Sequence, residues 1–198
     1  MTLDFWFDFA STYSYLSAMR IDDVASGKDV EIRWRPFLLG PIFKAQGWDT
    51  SPFNIFEAKG HHMWRDMERL CGDQGLPFER PDPFPQTSLS AARLALAVRD
   101  EPWYPDFCRG VFRAEFGAGE TISDRDTLEA VLSDQGVDAA PLLARIDDRV
   151  IKERLRAETD EAIRRGIFGA PTFVVGDELF WGNDRLDQAI GWAEAGKA

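Results

Sequence analysis

The sequence predicts an α/β fold in which one sheet-and-helix core is split by an all-helical insertion. Residues 3 to 9 and 30 to 35 alternate apolar and polar side chains, as half-buried strands do, and a helical stripe lies between them. Residues 149 to 193 read helix, hairpin, helix. The stretch from 40 to 148 carries helical periodicity broken by Pro- and Gly-rich joints. The core is therefore expected in two parts, 1–39 and 149–198, with 40–148 inserted between them.

In the opening part, Leu3, Phe5, Phe7 and Phe9 alternate with Asp4, Trp6 and Asp8. Ser11 and Thr12 are candidate N-caps, since a side-chain hydroxyl there accepts an N–H that the first helical turn leaves unpaired. Leu16, Met19 and Val24 mark the buried stripe of the helix that follows, and Gly27 ends it. Val30, Ile32 and Trp34 alternate with Glu31, Arg33 and Arg35 to give a second strand, which Pro36 stops. In the insertion, helices are expected at about 57 to 75, 88 to 99, 103 to 116, 124 to 135 and 139 to 148. Joints such as Pro77 and Arg80-Pro81-Asp82-Pro83-Phe84-Pro85 separate them. Arg149 to Arg165 is amphipathic with Ile151, Leu155, Ala162 and Ile163 inward, and Gly166 ends it. Thr172 to Val175, a Gly176-Asp177 turn and Glu178 to Trp181 form a hairpin. Gly182, Asn183 and Asp184 open a last helix with Leu186, Ala189, Ile190 and Ala193 on one face.

Composition excludes several classes of function. The 198 residues are 44% hydrophobic and 29% charged, as a globular chain is. A net charge of -11 argues against nucleic acid and against an anionic membrane surface, both of which need a basic face. It leaves a small anionic ligand open, because a few local donors outweigh distant charge. No stretch approaches the roughly 18 apolar residues of a membrane span. Met1 to Phe9 carries Asp4 and Asp8 without a basic region, so it reads as a strand of the mature protein. Cys71 and Cys108 lie far apart and outside any CxxC pair, so neither a disulfide framework nor a zinc site is expected, and a reducing cytoplasm is. Adjacent His61 and His62 face different ways on a helix and make no metal site; no metal is expected.

Phe7-Asp8-Phe9-Ala10-Ser11-Thr12-Tyr13-Ser14-Tyr15-Leu16 resembles the first strand and active-site helix of 2-hydroxychromene-2-carboxylate isomerases. With kappa-class glutathione transferases, these enzymes form a branch of the DsbA-like thioredoxin superfamily. Gly166-Ile167-Phe168-Gly169-Ala170-Pro171-Thr172-Phe173 and Phe180-Trp181-Gly182-Asn183-Asp184-Arg185-Leu186 resemble further family segments. So does Trp34-Arg35-Pro36-Phe37, followed by Lys44-Ala45 and Ser51-Pro52-Phe53-Asn54. The matches run in order along nearly the whole chain, and the helical block falls where the family carries its insertion. The resemblance makes the split core a thioredoxin-like one, β-α-β … α-β-β-α. Two departures stand out. Thr12 occupies the place of the proline common in the family's Ser-Pro-x-Ser, and the Asp49 region often carries Asn in relatives.

The resemblance implies glutathione as cofactor, a small aromatic carboxylate as substrate, a homodimer and a cytoplasmic setting. The implied reaction converts 2-hydroxychromene-2-carboxylate to trans-o-hydroxybenzylidenepyruvate. A thiol–disulfide enzyme needs a thiolate at the start of this helix, where the dipole and free N–H groups favour negative charge. Ser11-Thr12-Tyr13-Ser14 holds no sulfur, so the same helix mouth would instead receive the sulfur of glutathione, with the Ser11 hydroxyl donating to it. Read alone, Ser11 is equally an N-cap. The Ala170-Pro171 bond is implied to be cis and to offer its neighbouring backbone to the cysteinyl unit; the plain alternative is a trans proline at a strand start. Asn183 and Asp184 would hold the zwitterionic end of glutathione at a helix start, with Trp181 and Gly182 shaping the wall; the plain alternative is a pair of caps. Lys44 would pair with the substrate's carboxylate and Asn54 with its oxygens, or they are a surface lysine and a turn asparagine. Arg35 is a further substrate candidate, or half of a structural salt bridge. A kappa-class-like transferase that consumes glutathione and a non-catalytic thioredoxin-like binding module are the alternatives to an isomerase.

Overall fold

The computed structural model describes residues 1–196. The sheet runs β2 (Glu31–Pro36), β1 (Thr2–Phe7), β3 (Thr172–Val175), β4 (Glu178–Trp181), with β1 parallel to β2 and antiparallel to β3. A parallel neighbour needs a crossover, and α1 (Thr12–Ala25) supplies it. The hairpin occupies the residues its sequence marks out, turning at Gly176, whose φ of 60° suits a residue without a Cβ. Pro36 closes β2 as the residue facing Phe7, at the end of the ladder where a missing donor costs least.

Strand alternation sends side chains to two buried layers. Leu3, Phe5 and Phe7 face one core with Phe173, while Trp6 and Val174 face a smaller one with Phe37, Ile42, Ala162 and Ile167. The inserted helices are α2 (Leu39–Ala45), α3 (Pro52–Ile55), α4 (Glu57–Gln74), α5 (Leu89–Ala97), α6 (Tyr104–Phe112), α7 (Arg125–Ser133) and α8 (Ala139–Ala144). α9 (Arg149–Arg164) and α10 (Leu186–Glu194) complete the core. The sequence-based boundary at 39/40 falls after the first residue of α2, and that at 148/149 falls just before α9. The insertion shares the main core of the sheet: Phe7 meets Phe112 of α6 at a ring-centroid distance of 5.7 Å, and both are fully buried. Stacked or edge-on contacts of this kind add to plain area burial and fix the helical block against β1.

Several local expectations change. α2 and α3 have seven and four residues, too short to leave a periodic signature, and the sequence does not announce them. The helix expected over 103–116 changes hydrogen-bonding pattern after Phe112 into a π turn, Arg113–Gly117. Ile163, expected inward on α9, is 47% exposed, because it sits about 100° around the helix from buried Ala162. Cys71 and Cys108 are buried free thiols; burial pushes the Cys71 thiol up to about 11 and that of Cys108 higher still. Among the described residues no helix is long and apolar enough to cross a membrane.

Candidate functional site

The β1–α1 junction opens into a cavity of about 870 Å³, whose far wall is built by α2, α3 and the loop 84–88. Most of its surface is apolar: Leu39, Phe43, Trp48, Phe53, Phe84 and Phe168 all contribute. That volume lies toward the upper end of the roughly 300–1,000 Å³ usual for ligand sites.

Ser11 is the N-cap of α1, with extended backbone (φ -95°, ψ 113°), and is 8% exposed in the cavity wall. Its Oγ accepts the Ser14 N–H at 3.3 Å and donates to the Ala170 carbonyl at 3.0 Å. Thr12 begins the helix without a proline, and its hydroxyl lies 3.3 Å from the Met63 sulfur. The loop that presents Ser11 is held by Asp8. This nearly buried carboxylate accepts N–H groups from Ala10 at 3.0 Å and Leu39 at 2.7 Å, and the Ser88 hydroxyl also bonds it. Burial raises the Asp8 carboxyl above its ordinary value, and those donors pull against the rise.

Ala170 faces Ser11 across the mouth of the cavity. The Ala170–Pro171 bond is cis. The β1–β3 ladder stops at Trp6 and Thr172, so Ala170 lies beyond the last paired residue and in the cavity wall. Pro171 is buried and outside that wall; its carbonyl accepts the Gly182 N–H at 2.9 Å. Trp181 is 51% exposed at the rim, its ring 4.9 Å from that of Phe168. Gly169 is required beneath it, since a Cβ there would stand 2.4 Å from the indole nitrogen.

Gly182, at φ 111°, turns the chain from β4 into the short 3-10 helix Asn183–Arg185. These residues lie beside the cavity and not in its wall. The Asn183 side chain points inward: its Oδ1 accepts from the Ser17 hydroxyl at 3.0 Å and from Arg20 Nε at 3.3 Å. Its amide oxygen is committed to the fold, which leaves the backbone N–H groups of this turn as the expected donors. The Asp184 carboxylate is exposed, 3.7 Å from Arg185.

The basic candidates also redistribute. Arg35 is turned away from the cavity: it pairs with Glu158 at 2.7 Å and Asp4 at 3.4 Å and lies 4.2 Å over the Trp6 ring. Arg35 therefore makes a structural ion pair and lies outside the cavity wall. Lys44, in the last turn of α2, is exposed and lies outside the wall. Lys59, in the first turn of α4, does line the cavity, its Nζ 4.7 Å from the Phe56 ring, and it is the lone Lys or Arg of that wall among the described residues. No local pattern marks Lys59, because the close approach of α4 to α3 that places it depends on Gly60, where a Cβ would meet the Phe53 carbonyl at 2.3 Å. Asn54 does reach the wall, but its amide donates to the Phe84 carbonyl at 2.8 Å and the Thr50 hydroxyl at 3.3 Å. Asp49 and Tyr13 also line the cavity; the Tyr13 hydroxyl donates to Asp66 at 2.8 Å, and burial, then Asp66, holds its phenol protonated.

The DSBA-like thioredoxin domain family matches residues 2–190. A 2-hydroxychromene-2-carboxylate isomerase of Sphingobium xenophagum is 32% identical over 187 residues, 94% of each chain. A glutathione S-transferase kappa 2 of Caenorhabditis elegans is 28% identical over 198 residues, covering 93% of this chain and 88% of its own. A solved 2-hydroxychromene-2-carboxylate isomerase superposes with a TM-score of 0.87 at 28% identity, covering 96% of this chain and 95% of its own.

Proposed function

The chain belongs to the DsbA-like thioredoxin domain family, in the branch of the 2-hydroxychromene-2-carboxylate isomerases, and on that footing we propose that it is a glutathione-dependent isomerase. Its substrate in this reading is 2-hydroxychromene-2-carboxylate or a similar aromatic catabolite, and its product trans-o-hydroxybenzylidenepyruvate or the matching open-chain acid. The observation that carries the reading is the meeting of the Ser11 hydroxyl and the Ala170 carbonyl at one end of a largely apolar cavity to which several aromatic rings contribute.

The residues fit the cofactor's parts. The helix mouth at Ser11 suits a sulfur anion, because the first N–H groups of α1 and the hydroxyl all present positive ends there. Ala170, past the end of the β1–β3 ladder, suits the backbone of a short extended peptide. Asp184, exposed beside Trp181 and Gly182, suits an α-ammonium group. When bound, glutathione supplies a sulfur nucleophile that adds to the conjugated substrate and later leaves, so that rotation occurs about a temporarily single bond. The chain's own residues orient the partners and exclude water. Ser11 holds the sulfur's charge, the aromatic wall takes the ring, and Lys59 supplies positive charge for a carboxylate in the role expected of Lys44. Asn54, whose amide hydrogens are already engaged, serves a substrate hydroxyl by accepting its hydrogen at the side-chain carbonyl oxygen.

A homodimer and a cytoplasmic setting belong to the same reading; the buried, protonated thiols of Cys71 and Cys108 accord with a reducing compartment. A kappa-class-like transferase would use the same site and consume the thiol. The test is turnover of 2-hydroxychromene-2-carboxylate by purified protein with and without glutathione, following total thiol. Turnover that needs glutathione at constant thiol is the expected result. Loss of thiol in step with product points to the transferase, and turnover indifferent to glutathione defeats the reading.

A further inference from the structure

We propose that Arg20 is a positioning residue that aims the Asn183–Asp184 peptide at the amino-acid end of a γ-glutamyl ligand. The inference rests on the glutathione reading above and goes beyond it by assigning the residue that shapes this end of the site. Arg20 lies on α1, the helix that begins at Ser11, and its guanidinium grips the turn in several places. NH2 donates to the Asn183 carbonyl at 2.8 Å, Nε to the Asn183 Oδ1 at 3.3 Å, and NH1 to Asp187 at 2.9 Å. The Ser17 hydroxyl, one helical turn earlier, donates to the same Oδ1 at 3.0 Å.

The consequence follows from the planarity of the peptide. In a trans peptide, C=O and the next N–H point in opposite directions. The Asn183 carbonyl accepts the Leu186 N–H within the short helix and Arg20 NH2 from α1, so the Asp184 N–H, on the opposite side of the same peptide, is aimed away from the guanidinium. The Asp184 side chain follows from the same residue, so donor and carboxylate are set together for a zwitterion. One rigid helix thus carries both ends of the site: Ser11 at its cap for the sulfur and Arg20 about two and a half turns on for the turn that meets the γ-glutamyl unit. The planar fork of arginine matters here, since a lysine ammonium cannot bond the carbonyl, the Oδ1 and Asp187 at once.

Titration calorimetry with glutathione and with cysteinylglycine, which keeps the thiol but lacks the γ-glutamyl unit, tests this on the full-length protein. Wild type is expected to prefer glutathione. Arg20→Met is expected to weaken glutathione about tenfold, or about 1.4 kcal/mol, while leaving cysteinylglycine unchanged. Arg20→Lys, which preserves charge, is expected to show the same selective loss in smaller measure, and it stands in for Arg20→Met if that variant does not fold. Equal weakening of both thiols assigns Arg20 to general stability and overturns the inference, as does unchanged glutathione binding. If wild type itself binds neither thiol, the glutathione reading fails first, and the inference falls with it.

Discussion

The Ser11 hydroxyl spends its hydrogen on the Ala170 carbonyl, 3.0 Å away and 159 residues further along the chain. The two residues proposed to meet the cysteinyl unit of a thiol are thus bonded to each other. A hydroxyl carries one hydrogen, so receiving a sulfur anion requires Ser11 to turn it from Ala170 toward the newcomer. That rotation releases the Ala170 carbonyl as an acceptor for the backbone of the arriving peptide.

Ser11→Ala removes this donor and also the acceptor for the Ser14 N–H. Bonds to charged groups contribute about 1.5–3 kcal/mol, so turnover with saturating glutathione is expected to fall by roughly 10- to 100-fold. The thiol of bound glutathione is expected to ionise at higher pH, read from thiolate absorbance in the ultraviolet. Loss of the cap costs about 1 kcal/mol of stability, small enough to keep the fold. Unchanged turnover would remove Ser11 from the mechanism.

Lys59 and Lys44 are distinguished by parallel substitutions to Met. Lys59 faces the cavity and Lys44 does not. Lys59→Met is expected to raise KM for the organic acid or for glutathione about tenfold, the worth of a charge-assisted hydrogen bond, and the constant that moves names the carboxylate it serves. Lys44→Met is expected to leave both within about twofold, as surface substitutions usually do. The reverse pattern would reinstate Lys44 and show that the wall is arranged differently when ligand binds.

Arg35→Met separates a structural ion pair from a binding role. Removing the guanidinium leaves Glu158, whose side chain is 11% exposed, with Arg99 at 3.3 Å as its remaining charge partner. Stability is expected to fall by about 3 kcal/mol, the lower range for breaking a sheltered pair, read from urea denaturation. Glutathione affinity is expected to hold. A change in affinity without a change in stability would restore Arg35 to the site.

What the sequence disclosed and what it hid follow from the range of the interactions. Period-two alternation marks β1 and β2, because a strand with defined faces writes its environment on every second residue, while the β-branched and aromatic run of β3 and the Gly176-Asp177 turn mark the hairpin. The pairing of Ser11 with Ala170 is not written locally: the residues lie 159 positions apart, and only the family resemblance points to both. Caps and ligand contacts occupy the same place at a helix start, so the sequence leaves the direction of the Asn183 side chain open. Its inward turn depends on Ser17 and Arg20, more than 160 residues away in sequence. Lys59 was hidden because its orientation depends on how α4 abuts α3 at Gly60 and Phe53, and α3 is too short to be foreseen.

Glu115 provides the last prediction. It lies fully buried in the π turn, and neither carboxyl oxygen has a hydrogen-bond partner among the described residues. Burial, followed by the charge of Asp8, holds its carboxyl well above the usual 4.5. A carboxyl raised in the folded state binds its proton more tightly there than in the unfolded chain. Stability from that proton is complete below the unfolded value and is lost as pH rises through the folded one. Glu115→Gln retains the shape of the neutral acid and removes the titration. The variant is therefore expected to match wild type near pH 4 and to exceed it progressively toward pH 8, by about 1–3 kcal/mol, the scale for an unsatisfied buried polar group. Thermal unfolding of both proteins across that interval measures the difference, in which titrations common to the two cancel. Parallel stability curves would mean that Glu115 titrates alike in both states, which would require water or a partner at its carboxyl.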